Sequence, residues 1–264
     1  MSNSYQKSSG KQELRKPIAV VRETETPREA AIGKVVSPAY TKGEGTLDPS
    51  LFIIVSGGEV RERDYFNFFK NRRRSFPRIV VEFIDKNQRG VGGLGVAQLV
   101  EVALQVKQQK EESKSDDVLD SINIVTDLDH FYPEIIANLP VCKANNVELI
   151  ISNPCFEIWL YYSYYRERPD FVVPEDESKI SSGFKKYLGD KHKGGVDPRK
   201  APFSIAGAIE NSAANYLLDE RGIPILFSTQ MHLLASKLYE LTKEGIEKER
   251  QAVEQRREKY MRGK

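Results

Sequence analysis

A chain of 264 residues with 39% hydrophobic and 30% charged side chains can bury one sizeable core under a polar surface. Its net charge of +2 excludes a global polycation, so any grip on nucleic acid must come from local basic patches. Two cysteines, Cys142 and Cys155, exclude a disulfide framework and a four-sulfur zinc site, and no run approaches the ~20 apolar residues of a membrane span.

The basic N-terminus has no apolar stretch behind it, which argues against a secretory signal and for a soluble cytoplasmic protein without a membrane partner. Residues 1–50 read as a mostly flexible lead-in, with a short edge strand at Ile18 to Val21. Order begins at Leu51-Phe52-Ile53-Ile54-Val55, a continuous apolar run closed by Ser56-Gly57-Gly58. Such a run is the signature of a strand covered on both faces. Glu59 to Asn71 follows as a helix with Tyr65, Phe66, Phe68 and Phe69 on its apolar side. A strand at Arg78 to Ile84 comes next, then a glycine run at 90–95 that opens a helix over 96–112. The run could offer amides to a phosphate, but it lacks the Lys-Ser/Thr ending of a P-loop, and its composition favours a plain flexible entry to the helix.

Ile122 to Val125 is predicted as a third strand, ending in Thr126-Asp127-Leu128-Asp129, with a helix over Phe131 to Ala137. Val147 to Ile151 is a fourth strand, running into Ser152-Asn153-Pro154 and an aromatic-rich helix from Cys155 to Tyr165. Cys155 itself reads as a small buried side chain. Strands alternating with helices predict an α/β fold, a mostly parallel sheet flanked by helices. Residues 166–200 read as polar loop, and 203–217 and 230–262 as helices, giving a core over 51–165 and a helical C-terminal appendage over 166–264.

In parallel sheets ligands bind beyond the carboxyl ends of the strands. Glu59 and Glu62, the Asp127/Asp129 pair and Asn153 all follow a strand directly. Two aspartates one residue apart can reach one Mg²⁺ or Mn²⁺, which takes one or two carboxylates and fills its shell with water and phosphate oxygens. His130 beside them could donate to a phosphate or move a proton. The alternative is that Asp129 only caps the next helix and the glutamates only complement a helix dipole. Glu157, inside an apolar segment, must be paired, hydrogen-bonded or on a metal. Asn153 either orients a water or phosphate or merely caps a turn. Phosphate contacts would fall to Arg61, Arg63, Lys70, Arg72, Arg73 and Arg74, and to Lys191, Lys193, Arg199 and Lys200. His192 and His232 stand apart from other ligand types and read as structural.

A strand ending in glycines and glutamates, then Tyr65-Phe66, then Asp127-x-Asp129, then Ser152-Asn153-Pro154-Cys155-Phe156-Glu157-x-Trp159, resembles RloB-like proteins over about residues 51–165. Ser228-Thr229-Gln230-Met231-His232-Leu233 is similar to that family's C-terminal segment. The resemblance implies a TOPRIM-like core, a Mg²⁺ site built from a glutamate after the first strand and the Asp-x-Asp of a later one, and nuclease chemistry on DNA or tRNA. It also implies an anti-phage defence locus with an ABC- or AAA-type ATPase partner, and a homo-oligomer is compatible with it. The family reads Glu-Gly-Glu-x-x-Glu where this chain has Gly57-Gly58-Glu59-Val60-Arg61-Glu62, so Gly57 stands at the first catalytic glutamate. Either Glu59 or Glu62 replaces it, with Asp127, Asp129, Asn153 and Glu157 completing the catalytic set, or metal binding is weakened, or the chain is a silent module that binds nucleic acid or the ATPase. A small-nucleotide sensor is the third reading.

Overall fold

A computed structural model describes residues 50–58, 60–84, 95–112, 119–129, 131–193 and 195–262. The edge strand expected at Ile18 to Val21, Glu59, His130 and most of the glycine run lie outside the described residues.

Four parallel strands form the sheet: β1 (Ser50–Ser56), β2 (Ile79–Ile84), β3 (Leu119–Asp127) and β4 (Val147–Asn153). A two-residue β5 (Ser228–Thr229) pairs antiparallel with the end of β4, and the order across the sheet is β2-β1-β3-β4-β5. The helices are α1 (Arg61–Lys70), α2 (Val96–Glu112), α3 (Tyr132–Ala144), α4 (Glu157–Tyr162), α5 (Ile180–Lys191), α6 (Ile205–Ala214) and α7 (Met231–Arg262). The chain is thus a mixed α/β fold, a central sheet flanked by helices with a helical C-terminal region.

The continuous apolar run of β1 has a direct cause. Side chains alternate across a strand, and both faces of this one are covered. Phe52 and Ile54 join a core with the aromatic side of α1, with α4, and with α5, α6 and α7. Leu51, Ile53 and Val55 join a second core under α2 and α3. The C-terminal helices therefore share one apolar core with β1 and α1.

Three element boundaries differ from expectation. Helix α3 continues past Ala137 through Pro140, losing one backbone bond there, because Ile135 and Cys142 on either side of that proline are both buried. Helix α4 ends at Tyr162, and only single turns, Tyr164 and Tyr165 to the Tyr161 carbonyl, extend it. Residues 166–200, expected as loop, contain α5. Its two glycines, Gly183 and Gly189, depress helix propensity, yet Ile180, Phe184 and Leu188 recur every fourth residue and are all buried.

Helix α7 locks the turn after α1. Glu249 accepts from the Ser75 hydroxyl and lies 3.7 Å from Arg72 Nε. Gly245 makes the approach feasible: a Cβ there would sit 2.2 Å from the Ser75 carbonyl oxygen and 2.7 Å from the Phe76 ring. Gly245→Ala should therefore lower the stability by about 1–3 kcal/mol through overpacking, although alanine is the better helix former by ~1 kcal/mol. Urea unfolding monitored by circular dichroism would show this. An unchanged or raised midpoint would mean that α7 moves away from the turn at little cost.

Candidate active site

The carboxyl ends of β1, β3 and β4 carry Gly57, Asp127 and Asn153, at one end of the sheet as parallel pairing requires. Three carboxylates gather there, on Glu62, Asp127 and Glu157.

Glu62 is in the first turn of α1 and only 8% exposed. Val60 gives that helix no side-chain cap, and the Glu62 carboxylate turns back on its own backbone amide, one of the amides a helix start leaves without an acceptor. It lies against Gly58: a Cβ at that position would stand 2.1 Å from the carboxyl carbon. The second residue of the Gly57-Gly58 pair thus makes room for the glutamate that follows. Burial, reinforced by the Glu157 charge, pushes the Glu62 carboxyl up to about 7.

Asp127 ends β3. Its Oδ1 accepts the Phe156 amide at 2.7 Å, at the start of α4, which has no side-chain cap of its own. The backbone beyond it is clamped to β4 and its turn, Leu128 N–H to the Ser152 carbonyl at 2.8 Å and Asp129 N–H to the Pro154 carbonyl at 3.3 Å. Burial, then the charges of Glu62 and Glu157, hold the Asp127 carboxyl well above the usual carboxylate range. Asp129 takes φ +26°, a conformation that aspartate tolerates better than most residues. It does not cap α3. The cap position is Phe131, with no side-chain bond, so the capping expected of the Asp-x-Asp motif is found on Asp127 and a different helix.

Glu157, 9% exposed, opens α4. Its partner is Lys185 of α5, with Nζ 3.8 Å from Oε2. Desolvation works against the Lys185 charge, but Glu157, the Cys155 thiol, Asp127 and Glu62 outweigh it and raise the ammonium above its ordinary value. Cys155 is buried beside them, and burial together with Glu157 and Asp127 pushes its thiol up, away from a reactive thiolate. Lys185 lies in the segment read as loop, which is why its role was not legible. The spacing Ile180, Phe184, Leu188 would have revealed the helix that carries it. Lys185→Met should lower stability by roughly 1 kcal/mol, since the pair is half open to solvent, and the loss should shrink at high ionic strength, which screens the pair. Equal loss at low and high salt would show that the methylene stem, and not the charge, matters.

The other expected site residues are placed elsewhere. The Asn153 carboxamide is spent on the Pro224 carbonyl at 2.9 Å, and its own carbonyl takes the Phe227 amide. Arg61 lies beside Glu62 and donates to the Val196 carbonyl at 3.0 Å, while Arg63 faces Asp64 at 3.8 Å. Helix α1 runs back along the sheet, so Lys70, Arg72 and Arg73 sit at its far end, ~13 Å of helix from Arg61. Arg72 is engaged in the fold, over the Phe68 ring at 4.3 Å and bonded to the Phe68 carbonyl.

The two family-like motifs turn out to be two sides of one contact. Ser152 and Thr229 hydroxyls meet at 2.7 Å, and Gln230 bonds the backbone of Ile151 through both its amide and its side chain. His232 is buried, donates from Nδ1 to the Thr229 carbonyl at 2.9 Å and is held below the usual imidazole range by desolvation. It is structural.

The RloB-like protein profile matches residues 52–238, from β1 into α7. The chain belongs to the RloB-like family. No curated protein and no solved structure matches it. In this RloB-like chain the TOPRIM-like arrangement keeps its Asp-x-Asp after β3, whereas the glutamate expected at Gly57 is absent and Glu62 reaches the same strand end from one helical turn later.

The TOPRIM-like arrangement implies a divalent cation, and the chemistry of the donors bears on whether they suit one. Among the described residues no three His, Cys, Asp or Glu side chains stand grouped to hold a metal ion. The charges nevertheless suit one. Three carboxylates face one ammonium, and two of them are driven toward the neutral acid by burial and then by one another's charge. All are hard oxygen donors, and Mg²⁺ needs only one or two of them beside water and phosphate. No described helix is long and apolar enough to cross a membrane.

Proposed function

We propose that this protein hydrolyses phosphodiester bonds in nucleic acid with the help of Mg²⁺ or Mn²⁺. The observation that carries the reading is the convergence of Glu62, Asp127 and Glu157 at the carboxyl ends of a parallel sheet, short of positive charge, in an RloB-like chain. Asp127 would be the central ligand, with Asp129 beside it and Glu62 in place of the glutamate missing at Gly57. A bound cation supplies charge neutralisation at the scissile phosphate and an acidified water. Glu62, already inclined to hold a proton near neutral pH, would be suited to exchange one with an attacking water or with the leaving oxygen. Lys185 pairs with Glu157 and adds positive charge where charge develops on phosphate. The target, DNA or tRNA, and an ATPase partner in an anti-phage system belong to the same proposal through the family resemblance.

The test is cleavage of plasmid DNA and total tRNA with Mg²⁺, Mn²⁺ or EDTA, beside an Asp127→Ala/Asp129→Ala variant. Metal-dependent cleavage that the variant lacks is expected. Cleavage that persists in EDTA would sink the reading. Gly57 favours a second reading, a module that keeps the fold and binds without cutting. Such a module has no reason to gain thermal stability from Mg²⁺, whereas a metal-dependent enzyme does.

A further inference from the structure

Positive charge in this chain is concentrated. Residues 185–200 hold six Lys or Arg against two Asp, a net +4, twice that of the whole molecule. The segment comprises the second half of α5 and the loop after it, and it borders the carboxylates at two points. Lys185 reaches Glu157, and Arg61, next to Glu62, holds the Val196 carbonyl.

Aromatic rings back the same path, with Tyr161 buried beneath it. Glu157, Tyr161 and Tyr165 follow one another at four-residue spacing, so they climb one face of α4 and its extension. Tyr161 and Tyr165 stack at 4.7 Å and 27°. Lys191 lies 5.1 Å from the Tyr165 ring and bonds the Tyr187 hydroxyl at 2.9 Å, which fixes the end of α5 against them. Beyond, Tyr164 is 40% exposed, with its ring 4.5 Å from that of His192. Two exposed cations follow His192 in the chain. Lys193 meets no carboxylate among the described residues, and Arg199 grips neighbouring Asp197 through Nε at 2.9 Å and Nη2 at 3.1 Å. The Arg199 side chain is 72% exposed, and a guanidinium carries five donors, so it keeps N–H groups for a phosphate beside that carboxylate.

We propose that this strip is a track for single-stranded nucleic acid leading to Glu157. An unpaired base stacks on the open side of Tyr164, and Lys193 and Arg199 hold the flanking phosphates. Duplex bases are already stacked and cannot use the rings; single strands can, in any sequence. The inference rests on the nuclease reading for the purpose of the track but not for its chemistry, so it is tested without cleavage.

The full chain is titrated in EDTA against a labelled single strand of about 12 nucleotides, as oligo-dT and oligo-U, and against a duplex of the same length, by fluorescence anisotropy. Single strands should bind more tightly than duplex. Tyr164→Ala should weaken single-strand binding by at least ~5-fold, with Tyr164→Phe close to wild type. Lys193→Glu/Arg199→Glu should weaken it and flatten the salt dependence by roughly 0.7 for each phosphate no longer held. Arg256→Glu/Arg257→Glu, on the distal part of α7, should change little. No binding, equal binding of duplex, or a Tyr164→Ala variant that is folded and binds like wild type would overturn the proposal. Single-strand binding by a protein that never cleaves would leave the track standing and remove the nuclease reading; cleavage without Tyr164-dependent binding would do the reverse.

Discussion

Replacing Asp127 with asparagine is expected to abolish metal-dependent cleavage, by on the order of 100-fold or more, and to leave the protein folded. A metal that stabilises the transition state by several kcal/mol is lost with its central carboxylate, and each 1.36 kcal/mol is a factor of ten in rate. Asparagine keeps the structural half of the side chain, because its Oδ1 can still accept the Phe156 amide that starts α4. It also removes the cost of a desolvated carboxylate, since the Asp127 carboxyl is raised by burial and by Glu62 and Glu157. The folded protein grips that proton more tightly than the unfolded chain does, so ionising Asp127 subtracts stability as pH rises. The variant should therefore melt no lower than wild type at pH 7 in EDTA. Cleavage at the wild-type rate would remove Asp127 from the mechanism, and a large fall in Tm would mean that the substitution reports on folding instead.

Metal-free wild-type protein is expected to lose stability between about pH 4.5 and about pH 7 in a way that Glu62→Gln does not. The Glu62 carboxyl rises from 4.5 to about 7 on folding, chiefly through burial. Below the lower value both folded and unfolded chains are protonated and the group contributes its full stability. Through the window the unfolded chain releases the proton first, and stability falls until the folded form also ionises. The difference between wild type and variant should reach on the order of 5 °C in Tm across that range. Subtracting the variant removes other titrating groups, including His232, whose lowered value works in the opposite sense. Mg²⁺ should narrow the window by competing with the proton. A pH profile identical in wild type and Glu62→Gln would show that Glu62 is solvated and available to neither proton nor metal in the way proposed.

Both experiments bear on Gly57. In the proposed site Glu62 stands in for the missing glutamate, and its placement depends on Gly58. Only a residue without Cβ lets the Glu62 carboxylate lie over the strand end. The substitution was visible in Gly57-Gly58-Glu59-Val60-Arg61-Glu62, with Glu59 and Glu62 as the two candidates to replace the glutamate, but which of them turns inward was not. Glu62 is in a regular helix and faces inward; Glu59 lies outside the described residues.

Much of the fold was legible because local patterning alone governs it. The apolar runs of β1 and β4 and the helical spacing of Tyr65, Phe66 and Phe69 report burial by periodicity, and burial on two faces leaves no polar alternation to misread. The acidic residues were also legible, since Asp-x-Asp and a glutamate in an apolar helix are anomalies in any sequence. What they bond to was not. Asp127 caps α4 across the sheet end, Asn153 turns to Pro224, and Arg72 is committed to Phe68 and Glu249. Most of these partners are distant in sequence, and distance in sequence carries no directional information until the chain has packed.

The amino-acid sequence by itself determined the parallel α/β core, the end of the sheet where acidic groups collect, and membership in a family whose motifs mark that end. Only the tertiary structure decided that Lys185, from a segment that reads as loop, answers the charge of Glu157, and that Glu62 is buried where its charge bears on Asp127. The physical reason is the range of the forces. Hydrophobic periodicity is written into neighbouring residues, whereas charge compensation in a desolvated site depends on which side chains the fold brings within a few ångströms of each other.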